Sequence, residues 1–130
     1  MPTHVHDLKN AFLAGASVAQ GAHTATATGS GVNLGEAMEQ SFAVVVAGAI
    51  TDGTHNLAIQ ESKNDNTADP EAADAYAAVA PAISQAIVAS AVNIYGFWRS
   101  KRWARAVVTV AGATTGGIYA VLLGGMKQRF

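Results

Sequence analysis

Ser41-Phe-Ala-Val-Val-Val-Ala-Gly-Ala-Ile-Thr51, followed by Asp52-Gly53 and then Thr54-His-Asn-Leu-Ala-Ile-Gln-Glu61, is the stretch that sets the fold class. The first run is continuous, rich in β-branched residues and short enough for a strand covered on both faces. Asp52-Gly53 is a favoured two-residue turn, because Gly tolerates positive φ. The run after it places Leu57 and Ile59 on one side, as a strand does. Together they predict a β-hairpin from about Phe42 to Glu61.

The same pattern recurs toward the C-terminus. Ala91 to Phe97 and Lys101 to Ala111 are two further β-rich runs, joined around Trp98-Arg99-Ser100. In the second run Ala104, Ala106, Val108 and Val110 make a small apolar face, and Trp103, Arg105, Val107 and Thr109 make the other. Gly112-Ala-Thr-Thr-Gly-Gly117 is a turn cluster, and Ile118-Tyr-Ala-Val-Leu-Leu123 closes a second predicted hairpin.

Toward the N-terminus, Ala22 to Thr28 alternates, with Thr24, Thr26 and Thr28 on one face and Ala25 and Ala27 on the other, the signature of a half-buried strand, and Gly29-Ser-Gly31 turns the chain. Residues 1–20 show no strand alternation and only a weak helical spacing in Leu8, Phe12, Leu13 and Ala16, so they read as a peripheral arm or short helix. Between the predicted hairpins, residues 62–70 are a loop by composition. Asp69-Pro70-Glu71 then supplies an N-cap, an N1 proline and an acid in the first turn. A short helix over roughly Glu71 to Val79 follows, ended by Pro81. About six strands and one short helix describe an all-β, antiparallel β-sandwich, organised as an N-terminal arm (1–20) and a single β-sandwich domain (21–130).

Composition narrows the function classes. Of 130 residues, 28 are Ala and only 13% are charged, against a usual quarter or so. The core is therefore thin, and the surface suits packing against other protein. A net charge of −1 excludes the basic balance of a general nucleic-acid binder. The absence of Cys excludes disulfides, thiolate nucleophiles and Cys-ligated metal sites. The N-terminus lacks the basic start and apolar core of a secretory signal. Tyr76 to Trp98 is uncharged and followed by Arg99, Lys101 and Arg102, but its apolar content is mostly Ala and it carries Pro81, Ser84, Gln85, Ser90 and Asn93, which argues against a membrane span.

Several clusters bear on chemistry. His4-Val5-His6, with Asp7 or His23, has the elements of a zinc site, but a terminal histidine pair without a pocket is more often solvated. Asp65, Thr67 and Asp69 have the spacing of oxygen ligands in a calcium loop, yet Pro70 stands where the sharp turn needs glycine, and Asn and Asp favour turns in any case. Gly29, Gly31 and Gly35 fit neither a dinucleotide fingerprint nor a phosphate loop, and there is no nucleophile elbow. His55 lies near Asp52 on a turn, a poor place for catalytic positioning. No catalytic constellation emerges, and no cofactor or metal is expected. Arg99, Lys101, Arg102, Trp103 and Arg105 are the strongest partner-binding candidates. Alternation puts Arg99, Lys101, Trp103 and Arg105 on one strand face, where they could pair with Glu61 or Asp52 or with an acidic groove on a partner, and Arg and Trp are enriched at interface hot spots.

The ordered strings Val-Val-Val-Ala-Gly-Ala-Ile-Thr-Asp-Gly-Thr-His (44–55), Gln-Glu-Ser (60–62) and Lys-Arg-Trp-Ala-Arg-Ala-Val-Val-Thr-Val-Ala-Gly-Ala-Thr-Thr-Gly (101–116) resemble a family of small proteins encoded among the head genes of tailed bacteriophages. Where that family commonly has a serine, an acidic pair and a glycine leading to an aromatic, this chain reads Ser62-Lys-Asn-Asp-Asn-Thr. The Arg102-Trp103-Ala104-Arg105 strand is also similar to galactose-binding-like jelly rolls, which makes the expected sandwich jelly-roll-like. The resemblance implies a decoration, or cement, protein: made in the host cytoplasm, sited on the outer capsid surface, a homotrimer bound to the major capsid protein, with no role for nucleic acid or membrane. The Ala and Thr faces of Ala22 to Thr28 and of Thr109 to Thr115 are then candidate contact surfaces, and the arm would order on binding. A rival reading is a carbohydrate-binding module with Tyr95, Trp98 and Trp103 as a stacking platform. The two separate by whether those aromatics cluster on exposed loops or lie between sheets. A tail or head-completion component differs only in partner and symmetry.

Overall fold

The alternation read above builds strands almost throughout. A computed structural model describes residues 11–63 and 75–127, and all its elements are strands. They are β1 (Phe12–His23), β2 (Ala27–Thr28), β3 (Val32–Asn33), β4 (Ala37–Ile50), β5 (Thr54–Ser62), β6 (Ala77–Ala78), β7 (Gln85–Ala86), β8 (Ala91–Trp98), β9 (Trp103–Ala111) and β10 (Gly117–Lys127). One sheet has four strands in the order β1-β10-β4-β8. The other has six, in the order β2-β9-β5-β6, with β3 also pairing β9 and β7 also pairing β5. Every pairing is antiparallel.

Because β2 and β3 share one strand position and β6 and β7 another, each sheet has four positions. The chain changes sheet at nearly every connection. This is the interleaved order of a jelly roll, so the sandwich expected from the sequence is what forms. Its core lies between Leu57 and Ile59 of β5 with Ala104, Ala106 and Val108 of β9 on one side, and Ala43 and Val45 of β4 with Val121 and Leu123 of β10 on the other. The alanines keep it thin.

Both predicted hairpins are corrected. The strands exist, but β4 pairs with β10 and β8 while β5 pairs with β9, so Asp52-Gly53 is a corner between sheets. Likewise β9 and β10 belong to opposite sheets, with the turn at residues 112–116 carrying the chain across. A turn signal states that the chain reverses, not in which plane. Gly53 and Gly116 sit at these corners with φ of 85° and 79°, a region L side chains rarely adopt. The strand read over Ala22 to Thr28 is divided in the same way: β1 ends at His23, and Ala27–Thr28 has already joined β9 in the other sheet.

Two further expectations change. Residues 12–20 are not an arm, because β1 runs from Phe12 and pairs along β10. Its small residues gave no alternation to read, and two register shifts, at Ala16/Val18 and Val18/Gly21, break what there is. Residues 1–10 lie outside the described residues. So do residues 71–74 of the expected helix, and its remainder is not helical: Ala77 and Ala78 pair with Glu61 and Gln60, and Val79 is buried with its N–H donating to the Ile59 carbonyl. Docking of Val79 overrides the helical preference of the alanines around it.

Candidate functional site

In β4 the odd positions Ala37, Ser41, Ala43, Val45 and Ala47 point into the core, which turns Met38, Gln40, Phe42, Val44 and Val46 outward. The even positions of β8 and β10 do the same, so Val92, Ile94 and Trp98 join Ile118, Leu122 and Met126. Register aligns them into rows: Ala16, Leu122, Val44 and Ile94 lie side by side across the sheet, as do Ala14, Gly124, Phe42 and Gly96. The outer face of the four-stranded sheet is therefore apolar across its full width.

Its exposure is large. Ile94 is 69% accessible, Val92 64%, and Trp98 and Met126 51% each. Across all four strands the only Asp, Glu, Lys or Arg residues are Glu39 and Lys127, both at one end. At that end a groove of roughly 790 Å³ is lined by Phe12, Met38, Phe42, Ile94, Trp98 and Met126, with Glu39, Gln40 and Ser41 as its polar members. Phe42 leans over Gly124 to meet Phe12 edge-on, with ring centroids 6.1 Å apart, and Gly96 leaves space between Ile94 and Trp98. A second groove of about 540 Å³ runs along Val46, Gly48, Ile118 and Leu122. A surface of this kind binds by burying apolar area.

The basic run lies around the corner from this face and is drawn apart by the fold. Arg99 is 7% exposed. Its Nε–H donates to Ser41 Oγ, Nη1 to the Lys101 carbonyl, and Nη2 to the carbonyls of Ala37 at 2.6 Å and Met38 at 3.2 Å. Burial lowers its pKa, opposed by the nearby Glu39 and Glu61 carboxylates. Arg99 is thus a brace fastening the β8–β9 corner to the start of β4. Arg102 reaches Asn33 Oδ1, and Arg105 donates to Gln60 Oε1 while lying 4.0 Å over the Tyr76 ring. Trp103 and Arg105 do share the outer face of β9, but Arg99 and Lys101 precede the strand. Glu61, expected to meet a cation, instead accepts from Ser100 N–H, Ser100 Oγ and Lys101 N–H.

His55 and Asp52 come together without forming a catalytic pair. The Asp52 carboxylate accepts the backbone N–H groups of Thr114, Thr115 and Gly116, which hold its pKa below the ordinary value, Gly116 most strongly. His55 Nε2 donates to the Asp52 main-chain carbonyl at 3.0 Å, which leaves Nδ1 to accept from the Tyr119 hydroxyl at 2.9 Å. Tyr119 is buried, and burial pushes its pKa up to about 12. His23 stacks on Tyr119 at 4.6 Å. These contacts fasten the two sheets together at their crossing and leave no activated nucleophile.

His4, His6, Asp7, Asp65, Thr67 and Asp69 lie outside the described residues. Among the described residues no group of three or more His, Asp or Glu is placed to hold a metal, and no helix is long and apolar enough to cross a membrane. Tyr95, Trp98 and Trp103 are dispersed: Trp98 on the outer face of the four-stranded sheet, Tyr95 packed against the core, Trp103 on the opposite sheet. Comparison with known proteins finds no family model, no curated protein and no solved structure that matches the chain.

The apolar face went unread at the sequence level, although its signal is present. A strand covered on both faces needs two layers, and among the described residues β4 receives only one.

Proposed function

We propose that this protein is a non-enzymatic structural component that decorates the outer surface of a tailed-phage capsid and ties neighbouring major capsid protein subunits together. The observation that carries the reading is the apolar outer face of the four-stranded sheet, whose charges are confined to Glu39 and Lys127 at one end. The largest apolar patch on a typical monomer covers a few hundred Å², and larger ones mark interaction surfaces. The sequence resemblance to phage head-gene products supplies the partner class.

The contact surface in this reading is the sheet, with the groove beside Trp98 receiving an apolar side chain of the shell, rather than the basic run at residues 99–105. Each contact, of about 800 Å² per partner, is moderate alone. A homo-oligomer that touches several subunits at once makes dissociation require the loss of several contacts together. The dispersal of Tyr95, Trp98 and Trp103 weighs against the carbohydrate platform, since no two of them share an exposed surface.

The test is sedimentation of the purified protein with undecorated capsids, counting bound copies per shell. Saturation at a multiple of sixty with a raised capsid melting temperature supports the proposal. Absence of binding to shells that a known cement protein still decorates overturns it.

A further inference from the structure

The four-stranded sheet has two edges, β1 and β8, and they differ in kind. β1 carries two register shifts and three small-residue breaks in its apolar sequence at Gly15, Gly21 and Ser17, so its outer edge is bent and irregular. Bulges of this kind are how natural proteins blunt a free edge. β8 has none of these devices. It pairs with β4 without a shift from Gln40↔Trp98 to Ala47↔Ala91, and Ala91–Trp98 contains no proline and no charged residue. Among the described residues no strand pairs with its other side. Among the described residues the two most exposed large hydrophobics, Val92 and Ile94, stand on this strand.

We infer that β8 pairs with β8 of a second copy of this chain, antiparallel across a two-fold axis, to make one continuous eight-stranded sheet. A charge-free edge is compatible with its own copy, because no like charges are brought opposite each other. The side-chain period restricts the register: outward residues must meet outward residues, or the apolar face would pass to the wrong side of the partner sheet. With Tyr95 on the axis, Val92 lies opposite Trp98 of the second copy and Ile94 opposite its Gly96. A β-branched residue then packs beside an aromatic, and the largest aliphatic side chain occupies the space the glycine leaves. Moving the axis to Ile94 would leave Trp98 opposite Ser90, outside the strand. The pairing doubles the width of the apolar face and satisfies the free backbone groups of the edge. It gives a two-fold pair rather than the trimer implied by the resemblance, and it stands whether or not the face docks on a capsid.

The chain has no cysteine, so engineered thiols report cleanly. Directly opposed residues in an antiparallel pair have Cβ atoms about 4.5–5.5 Å apart, near disulfide reach. The double variant V92C/W98C is expected to oxidise to a covalent dimer, while V92C and W98C alone stay at least tenfold less cross-linked, since each is far from its own copy. In sedimentation over a concentration series the natural chain should dimerise, and Ile94→Lys should weaken that dimer tenfold or more with its melting temperature unchanged. Exchange of β8 backbone amides should slow as concentration rises. A monomer at all concentrations, with β8 amides exchanging independently of concentration, overturns the inference. A dimer in which V92C/W98C does not cross-link above the single variants also overturns it, and assigns the contact to the apolar faces instead.

Discussion

The two sheets turn opposite kinds of surface outward. On the six-stranded sheet the outward polar groups are satisfied within the chain: Arg105 meets Gln60 and Tyr76, Asn56 donates to Ser84 Oγ, and Thr26 Oγ1 accepts the Val110 N–H. On the four-stranded sheet Val46, Val92, Ile94, Trp98, Ile118 and Leu122 stand exposed instead. A chain with so few charges places Arg99, Arg102 and Arg105 where they brace the fold and leaves the four-stranded sheet with a single cation, Lys127 at the end of β10. Partner binding in such a molecule is to be sought where charge is missing, since Arg99, Arg102 and Arg105 of the 99–105 run are already engaged inside the chain.

The sharpest way to break that contrast is at Arg99. If it serves a partner, Arg99→Ala should leave stability unchanged. If it is a brace, the substitution removes the bonds to Ser41 Oγ and to the Ala37 and Met38 carbonyls, and unfolding stability should fall by about 3 kcal/mol, the upper end of the range for leaving buried polar groups short of partners. Arg105→Ala is the control. Its partners are on the surface, and the loss should stay within about 1 kcal/mol. Urea midpoints of the three proteins decide between the two accounts.

What could be read in advance follows the same division. Strand existence was legible from alternation, and β4, β5, β8, β9 and β10 lie close to where it placed them, because side-chain period is a local property. Pairing was not. Asp52-Gly53 and the turn at residues 112–116 have the residues of hairpin turns, yet they carry the chain between sheets, a choice made by which strands Leu57, Ile59, Val108 and Val121 pack against. β1 hid behind small residues and two register shifts, and the alanines near residue 77 spoke for a helix until Val79 found the core. The candidate site was mislocated for a related reason. Arg and Trp mark interfaces by composition, but Arg99 is drawn inside by carbonyls that no sequence window reveals, whereas the apolar Ile94 and Leu122 carry no local sign that they face outward.

The next effect in size tests the apolar face itself. Ile94→Lys together with Leu122→Lys puts two charges in one row of the outer face, on either side of Val44, without touching the interior. Both residues are solvent-accessible, so melting temperature should move by no more than a few degrees. Capsid binding should fall by about two orders of magnitude, as expected when charge enters an apolar contact centre. The matched change on the other sheet, Thr109→Lys, should leave binding within about twofold. Equal losses from both faces would remove the distinction on which the proposed docking rests.

A smaller effect is expected where the two sheets are fastened. Tyr119→Phe removes the hydroxyl that donates to His55 Nδ1 and leaves a buried acceptor unmatched, a loss of about 1–2 kcal/mol. The Tyr119 hydroxyl also sets an alkaline limit. Its pKa is raised in the folded state to about 12 from 10, so its contribution is complete below pH 10 and is lost as pH rises through about 12. Urea midpoints followed upward from pH 9 should decline less in Tyr119→Phe than in the natural chain.

The smallest effect belongs to Asp52, at the same crossing but on the surface. Its carboxylate gathers three consecutive backbone N–H groups and so shapes the β9–β10 corner. Because those donors favour the charged form, the folded pKa lies below 3.8. The contribution is therefore complete above that value and is lost as pH falls through the lower, folded one. Asp52→Asn keeps the shape and one acceptor oxygen but removes the charge. The stability gap between the two proteins should be widest at neutral pH, close progressively below pH 4, and vanish once the carboxyl is protonated in both states. A gap that persisted unchanged into acid would mean the corner depends on side-chain shape alone, and the two sheets would then be joined at this end by His55 and Tyr119 without help from charge.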